Sequence, residues 1–129
     1  WLGVEVPDRF QGKSLMGAVR GDEDHALRTE IHYEFDYRSS ARQLDPETDM
    51  DQHLLWVVRD AEYKYVHFAD ERLPPLLFDL RSDPGEFENL ADRPEHATTA
   101  LAYCQRLLRW RMRHEDQRME RWSAQFRYG

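Results

Sequence analysis

Apolar and polar residues alternate with a two-residue period in four stretches of this chain. Between Thr29 and Arg38, Ile31, Tyr33, Phe35 and Tyr37 fall on one face, and His32, Glu34 and Asp36 on the other. That pattern predicts a strand near 29–38 with its apolar face buried. Leu54, Trp56 and Val58 alternate with Leu55, Val57 and Arg59, and Tyr63, Tyr65 and His67 with Lys64, Val66 and Phe68. Leu76, Phe78 and Leu80 keep the same period. Aromatic and β-branched residues in this order predict strands near 53–59, 63–69 and 76–80. Asp60-Ala61-Glu62 is short enough for a hairpin turn, so the strands it joins should pair antiparallel. Leu73-Pro74-Pro75 cannot donate to a ladder and reads as a connection. Ser82-Asp83-Pro84-Gly85-Glu86 is turn chemistry, in which Pro presets φ and Gly permits a positive φ.

The period changes after Leu90. Asp92 suits a helix cap, Pro94 the first turn, and Glu95 the acid of a capping box. No Gly or Pro follows until beyond Trp122, which predicts a helix near 93–122. Leu101, Cys104, Leu108 and Met112 recur at spacings of three and four, and Met119, Trp122 and Phe126 resume the stripe. Such a helix, ~25–30 residues and about 40 Å long, outreaches a domain of this size, so its far end should pack on something else. Four strands with apolar faces and one amphipathic helix give an α+β unit, a small antiparallel sheet packed by a long C-terminal helix. The polar stretch Ser39–Gln52 is a loop, and Ser14 is placed to cap a brief helical turn.

Composition sharpens this picture in three places. With 129 residues, 40% of them hydrophobic, the chain makes one domain. Its 33% charged content and mean hydropathy of −0.88 suit a layer resting on something larger. The net charge of −7 is uneven: seven Arg against three acids give +4 over residues 101–129, leaving −11 for residues 1–100. An acidic body argues against nucleic acid as a partner. No apolar run approaches the ~18 residues that span a bilayer. A single cysteine, Cys104, excludes an internal disulfide; with no signal peptide in view, the cytoplasm is the favoured compartment. A first residue of Trp rather than Met points to a piece of a longer polypeptide.

Several stretches resemble a known family. Arg59, Tyr63-Lys64-Tyr65-Val66, Leu76 to Leu80, Asp83-Pro84-Gly85-Glu86 and Asn89-Leu90-Ala91 resemble, in order and spacing, the C-terminal end of sulfatases of the alkaline phosphatase superfamily. Gly12, Ser14 and Leu15 match a G-x-S-L segment that follows the catalytic domain in that family. The runs from His32 to Arg38 and from Leu108 to His114 resemble the phosphonate monoester hydrolase branch. The resemblance implies that residues 1–28 connect from a missing catalytic domain and that 29–129 form the C-terminal subdomain. The implied parent hydrolyses sulfuric or phosphonate/phosphate esters with a divalent metal and a formylglycine- or cysteine-derived nucleophile. Within this chain the implied role is structural: packing on the catalytic domain of the same enzyme, and homo-oligomer contacts through the C-terminal helix.

Read for chemistry, the residues bear out none of that catalysis here. The family's nucleophile stands in a C-x-P/A-S-x-R setting, whereas Cys104 precedes Gln105, Arg106, Leu107, Leu108 and Arg109. It falls on the apolar stripe of the helix, where a small buried thiol is expected. Asp22-Glu23-Asp24 and Asp49-Met50-Asp51 have no Gly-bearing cation loop around them, and the six His lack zinc spacing. Lys64 and His67 point to opposite faces of their strand, and Ser14 stands in no nucleophile elbow. No catalytic, cofactor-binding or metal-binding residue is therefore assigned. His32, Glu34 and Asp36 share a face that is either solvated or a pocket-rim or docking face in the parent enzyme. The rival to the subdomain reading is an independent protein-interaction module, which would show an exposed apolar patch.

Overall fold

The computed structural model describes residues 14–22, 28–38, 47 and 49–114. A short helix, α1 (Met16–Arg20), is closed by Gly21 in the left-handed conformation, φ 78°. The Ser14 Oγ accepts the Met16 amide at its start. Four strands follow: β1 (Ile31–Asp36), β2 (Leu54–Arg59), β3 (Tyr63–Phe68) and β4 (Leu76–Asp79). They pair antiparallel in sequence order, β1-β2-β3-β4. Helix α2 (Ala97–His114) crosses one face of the sheet. The α+β arrangement is the one the sequence predicts, and the helix beyond His114 lies outside the described residues.

The β2–β3 turn folds as its sequence suggests. The Asp60 amide donates to the Tyr63 carbonyl at 3.0 Å, and the Asp60 Oδ1 accepts the Glu62 and Tyr63 amides, each at 2.9 Å. Two local expectations fail. Helix α2 is entered through a 3-10 turn, Pro94–His96, whose preceding residue Arg93 makes no side-chain cap bond. Pro94 supplies the start without an Asp92 cap. In the 82–86 turn the positive φ belongs to Glu86, at 59°, and not to Gly85. The Glu86 carboxylate, reaching Lys64 and Arg59, holds a conformation that side chains otherwise avoid.

Register decides the layers. Val58 pairs with His32 on one side and Tyr65 on the other, and Tyr65 pairs with Leu77. These residues share the face beneath α2. Val58, Tyr65 and Leu77 pack there with Leu90, Tyr103 and Leu107 as the core. The opposite face carries Tyr33, Val57, Val66 and Leu76 in one row, with Phe35, Leu55 and Phe68 in the next. This corrects the expectation for β1: its apolar face is not buried. Ile31 and Phe35 are half-exposed, because the helix covers the polar side of that strand instead.

Candidate functional site

Three parts of the molecule are built with more precision than a core requires. The first joins β1 to α2. Same-face positions on a strand lie about 6.8 Å apart, and four helical residues span about 6 Å, so a helix laid along a strand can meet it residue by residue. Glu30 meets Arg106, whose Nε donates to Oε2 at 2.9 Å. His32 stacks on Trp110, ring centroids 4.7 Å apart and planes 5° from parallel. Glu34 accepts Arg111 Nη1 at 2.6 Å, and that guanidinium also lies 4.6 Å over the Trp56 ring. Asp36 stays at the strand end, exposed and held by Arg38.

His32 is 4% exposed. Its Nε2 bonds Glu30 Oε1 at 2.8 Å, while Nδ1 is buried without a partner among the described residues. Trp110 continues the stack to His114. Around this latch, Arg106 also donates to Asp60 Oδ2 at 2.8 Å, which takes the Tyr103 hydroxyl as well. Burial works against the Asp60 carboxylate, but the Tyr103 hydroxyl, the Tyr63 and Glu62 amides and Arg106 outweigh it and hold its pKa at about 2. Burial, with Asp60 alongside, pushes the Tyr103 phenol up. Glu30 is likewise held low despite its burial, by His32 and Arg106.

The second part closes the outer edge of β4. The Asn89 side chain behaves there as a length of strand: its Oδ1 accepts the Leu77 amide at 2.9 Å and its Nδ2 donates to the Pro75 carbonyl at 3.2 Å. The Leu90 amide then donates to the Leu77 carbonyl at 2.8 Å. Asn89 Oδ1 also takes the Ala91 amide, turning the chain toward α2. Upstream, Asp83 Oδ2 accepts the Glu88 amide and fixes the turn that delivers Asn89. The D-P-G-E-x-x-N-L motif is therefore a clasp.

The third part is the sheet face away from α2. Ile31, Tyr33 and Phe35 of β1 are exposed on it, whereas Val57, Val66 and Phe78 are buried and Leu55, Phe68 and Leu76 are partly buried. A cleft of about 310 Å³, lined by Leu54, Leu55, Trp56, His67, Phe68 and Ala69, indents its end. Lys64, on this face, is tied to Glu86, and His67 points to the other side, where Tyr65 meets it.

Nothing in these parts assembles a reaction. Cys104 is half-buried against the core. Among the described residues no three His, Cys, Asp or Glu side chains converge on a metal position, so those residues do not fit the metal that the family resemblance implies. Asp49 is spent on the Asp51 amide and Gln52; Glu23 and Asp24 lie outside the described residues. Of the three candidate residues, the structure brings His32 and Glu34 together under α2 and leaves Asp36 apart. Sequence reasoning missed Asn89, Arg106 and Trp110. The last two stand four residues apart on one helical face, a spacing that matches Glu30 and His32.

Comparison with known proteins agrees with this anatomy. Residues 1–113 match the family described as N-sulphoglucosamine sulphohydrolase, C-terminal. The chain belongs to this family. As a sulphohydrolase C-terminal subdomain it is 42% identical over 127 residues to the multifunctional alkaline phosphatase superfamily protein PehA of Trinickia caryophylli, covering 96% of this chain and 24% of that protein. The phosphonate monoester hydrolase of Agrobacterium radiobacter superposes with a TM-score of 0.69 and 37% identity, over 82% of this chain and 21% of its own. The phosphonate monoester hydrolase SpPMH from Silicibacter pomeroyi gives 0.73 and 31%, over 87% and 22%. The subdomain thus spans about a quarter of the length of these relatives, and a four-stranded sheet under a helix is its place in their fold.

Proposed function

We propose that this chain is the non-catalytic C-terminal subdomain of a larger hydrolase of sulfuric or phosphonate/phosphate esters, and that the exposed β1 side of its sheet seats on the catalytic part of the same polypeptide. One observation carries the reading: the apolar residues Ile31, Tyr33 and Phe35 of β1 are exposed in a chain about a quarter as long as its relatives. Burying apolar surface is worth about 25 cal/mol per Å², so a face of this kind is a strong docking element. The divalent metal and the formylglycine- or cysteine-derived nucleophile of such an enzyme would then belong to the catalytic part. A rim role for the His32 face would rest on Asp36 and the exposed side of Glu34, since His32 is enclosed by Trp110. Helix α2 supplies the subunit contacts.

The test places Lys at Phe35 and at Tyr33 in the full-length enzyme. The expected result is a lower melting temperature and lost ester hydrolysis, with α2 and the sheet intact by circular dichroism. Unchanged stability and turnover would sink the docking reading and favour the independent interaction module. Glu34→Ala and Asp36→Ala in the same enzyme test the rim: lost turnover supports it, and unchanged turnover removes it.

A further inference from the structure

We propose that Phe87 is an anchor that enters an apolar socket on the catalytic part of the same polypeptide, an inference that rests on the docking reading above and deepens it. Phe87 is 92% exposed, more than any other large apolar side chain among the described residues, yet its turn is firmly built. The Asp83 amide donates to the Asp79 carbonyl at 2.8 Å, and the Asp83 carbonyl accepts the Glu86 amide at 3.1 Å. Asp83 Oδ2 accepts the Glu88 amide at 2.8 Å, and Asn89, next along the chain, is pinned to β4.

At Glu86 the backbone takes a φ of 59°, which side chains disfavour, and ion pairs from Lys64 and Arg59 hold its carboxylate. Successive side chains therefore part. That of Glu86 is drawn in, 24% exposed, and the Phe87 ring is sent out. The ring lies across Gly85, where a Cβ would stand 2.2 Å from its Cε2 and 2.7 Å from its Cδ2. Residue 85 must be small for the ring to keep this position. A strained residue, a fixed turn and a glycine seat all serve a side chain left in solvent, and strain maintained in this way points to a contact beyond the chain.

The sheet identifies the occupant. Arg59 and Lys64, which hold Glu86, stand on the face away from α2, and Arg59 pairs in register with Ile31. The turn thus borders the face on which Ile31, Tyr33 and Phe35 are exposed. Four strands about 4.8 Å apart span only about 14 Å from β1 to β4, so a domain seated on the β1 side also reaches the turn. The chain covers 24% of PehA and 21% of the Agrobacterium enzyme, which leaves ample polypeptide for such a domain. Charge describes the socket. Glu86 is matched by Lys64 and Arg59, and Glu88 by Arg93, so the acids flanking the ring are already paired. The complement is an apolar pocket with a polar rim, the setting in which one aromatic side chain dominates a contact.

The test places the photo-crosslinking residue p-benzoylphenylalanine at position 87 of the full-length enzyme and maps the product by peptide mass spectrometry. The expected crosslink joins position 87 to the catalytic part within one polypeptide. A crosslink to a second copy or within the subdomain overturns the proposal, as does none at all. Phe87→Ala should lower the melting temperature of the full-length enzyme and leave that of the isolated chain unchanged. An equal drop in both marks an internal packing role and overturns the anchor. Gly85→Ala, which displaces the ring, should give a smaller drop in the full-length enzyme and none on top of Phe87→Ala; additive drops overturn the glycine seat. If Tyr33→Lys with Phe35→Lys destabilises the enzyme and Phe87→Ala does not, the anchor falls and the docking reading stands. If neither does, both fall.

Discussion

Asn89 replaces a stretch of backbone with a side chain, and its removal leaves the Leu77 and Ala91 amides and the Pro75 carbonyl without their partner. Each unmet group at a part-buried edge costs about 1–3 kcal/mol. Asn89→Ala should therefore lower the urea midpoint by an amount equivalent to about 2–4 kcal/mol. Asn89→Asp keeps the acceptor, loses the donor to Pro75, and should fall between the two. Asp60 gives a second residue-scale expectation. Its carboxyl lies at about 2 against an ordinary 3.8, so its stabilisation is complete above pH 3.8 and disappears as pH falls through about 2. The contribution is on the order of 1–2 kcal/mol. Asp60→Asn should flatten the stability-versus-pH curve in that window, read by thermal unfolding. Surface carboxylates Asp36 and Asp70, each held at about 2 by a neighbouring arginine, leave a residual slope.

At the level of elements, the strands were legible in the sequence and their covered faces were not. Alternation at Ile31, Tyr33, Phe35 and Tyr37 places four side chains together, but whether that side is buried depends on where α2 lies. The same ambiguity reversed the helix. Leu101, Leu108 and Met112 make the cleaner stripe, yet Tyr103 and Leu107 fill the core, since an aromatic ring and one leucine suffice over a sheet face already rich in Val58, Tyr65 and Leu77. Leu107→Ala should cost about 2–4 kcal/mol by opening a cavity. Leu108→Ala should change the stability of the dilute chain by less than about 0.5 kcal/mol. Denaturant titration of the two variants separates the faces. The latch to β1 escaped sequence reading for a related reason: Glu30–Arg106 and His32–Trp110 join residues more than seventy positions apart, and no local rule pairs them.

At the level of the molecule, the core leaves two groups of apolar residues exposed, Ile31, Tyr33 and Phe35 on β1 and Leu101, Leu108 and Met112 on α2. The net charge of −7 opposes self-association through such residues, but a hydrophobic dye should find them. Tyr33→Lys with Phe35→Lys should lower dye fluorescence of the isolated chain while leaving its far-ultraviolet spectrum in place. An undiminished signal would place the accessible apolar surface elsewhere. The catalytic chemistry that the resemblance implies was legible only as a resemblance, because neither Cys104 nor Ser14 stands in a nucleophile motif.

The clasp at Asn89 also gives the sheet a direction of growth. One border, along β4, is sealed by a side chain and the Leu90 amide. The other, along β1, has no strand beyond it among the described residues, and an unpaired strand edge is a template for further pairing. Among the described residues, an added strand, native or misassembled, is therefore admitted only beside Ile31–Asp36. Polymerisation edge to edge needs two free borders in each unit, and the described residues offer a single border. Two copies can pair β1 against β1, but a ribbon cannot propagate. An amide-to-apolar change at position 89 would remove the seal and turn a terminating unit into a linking one.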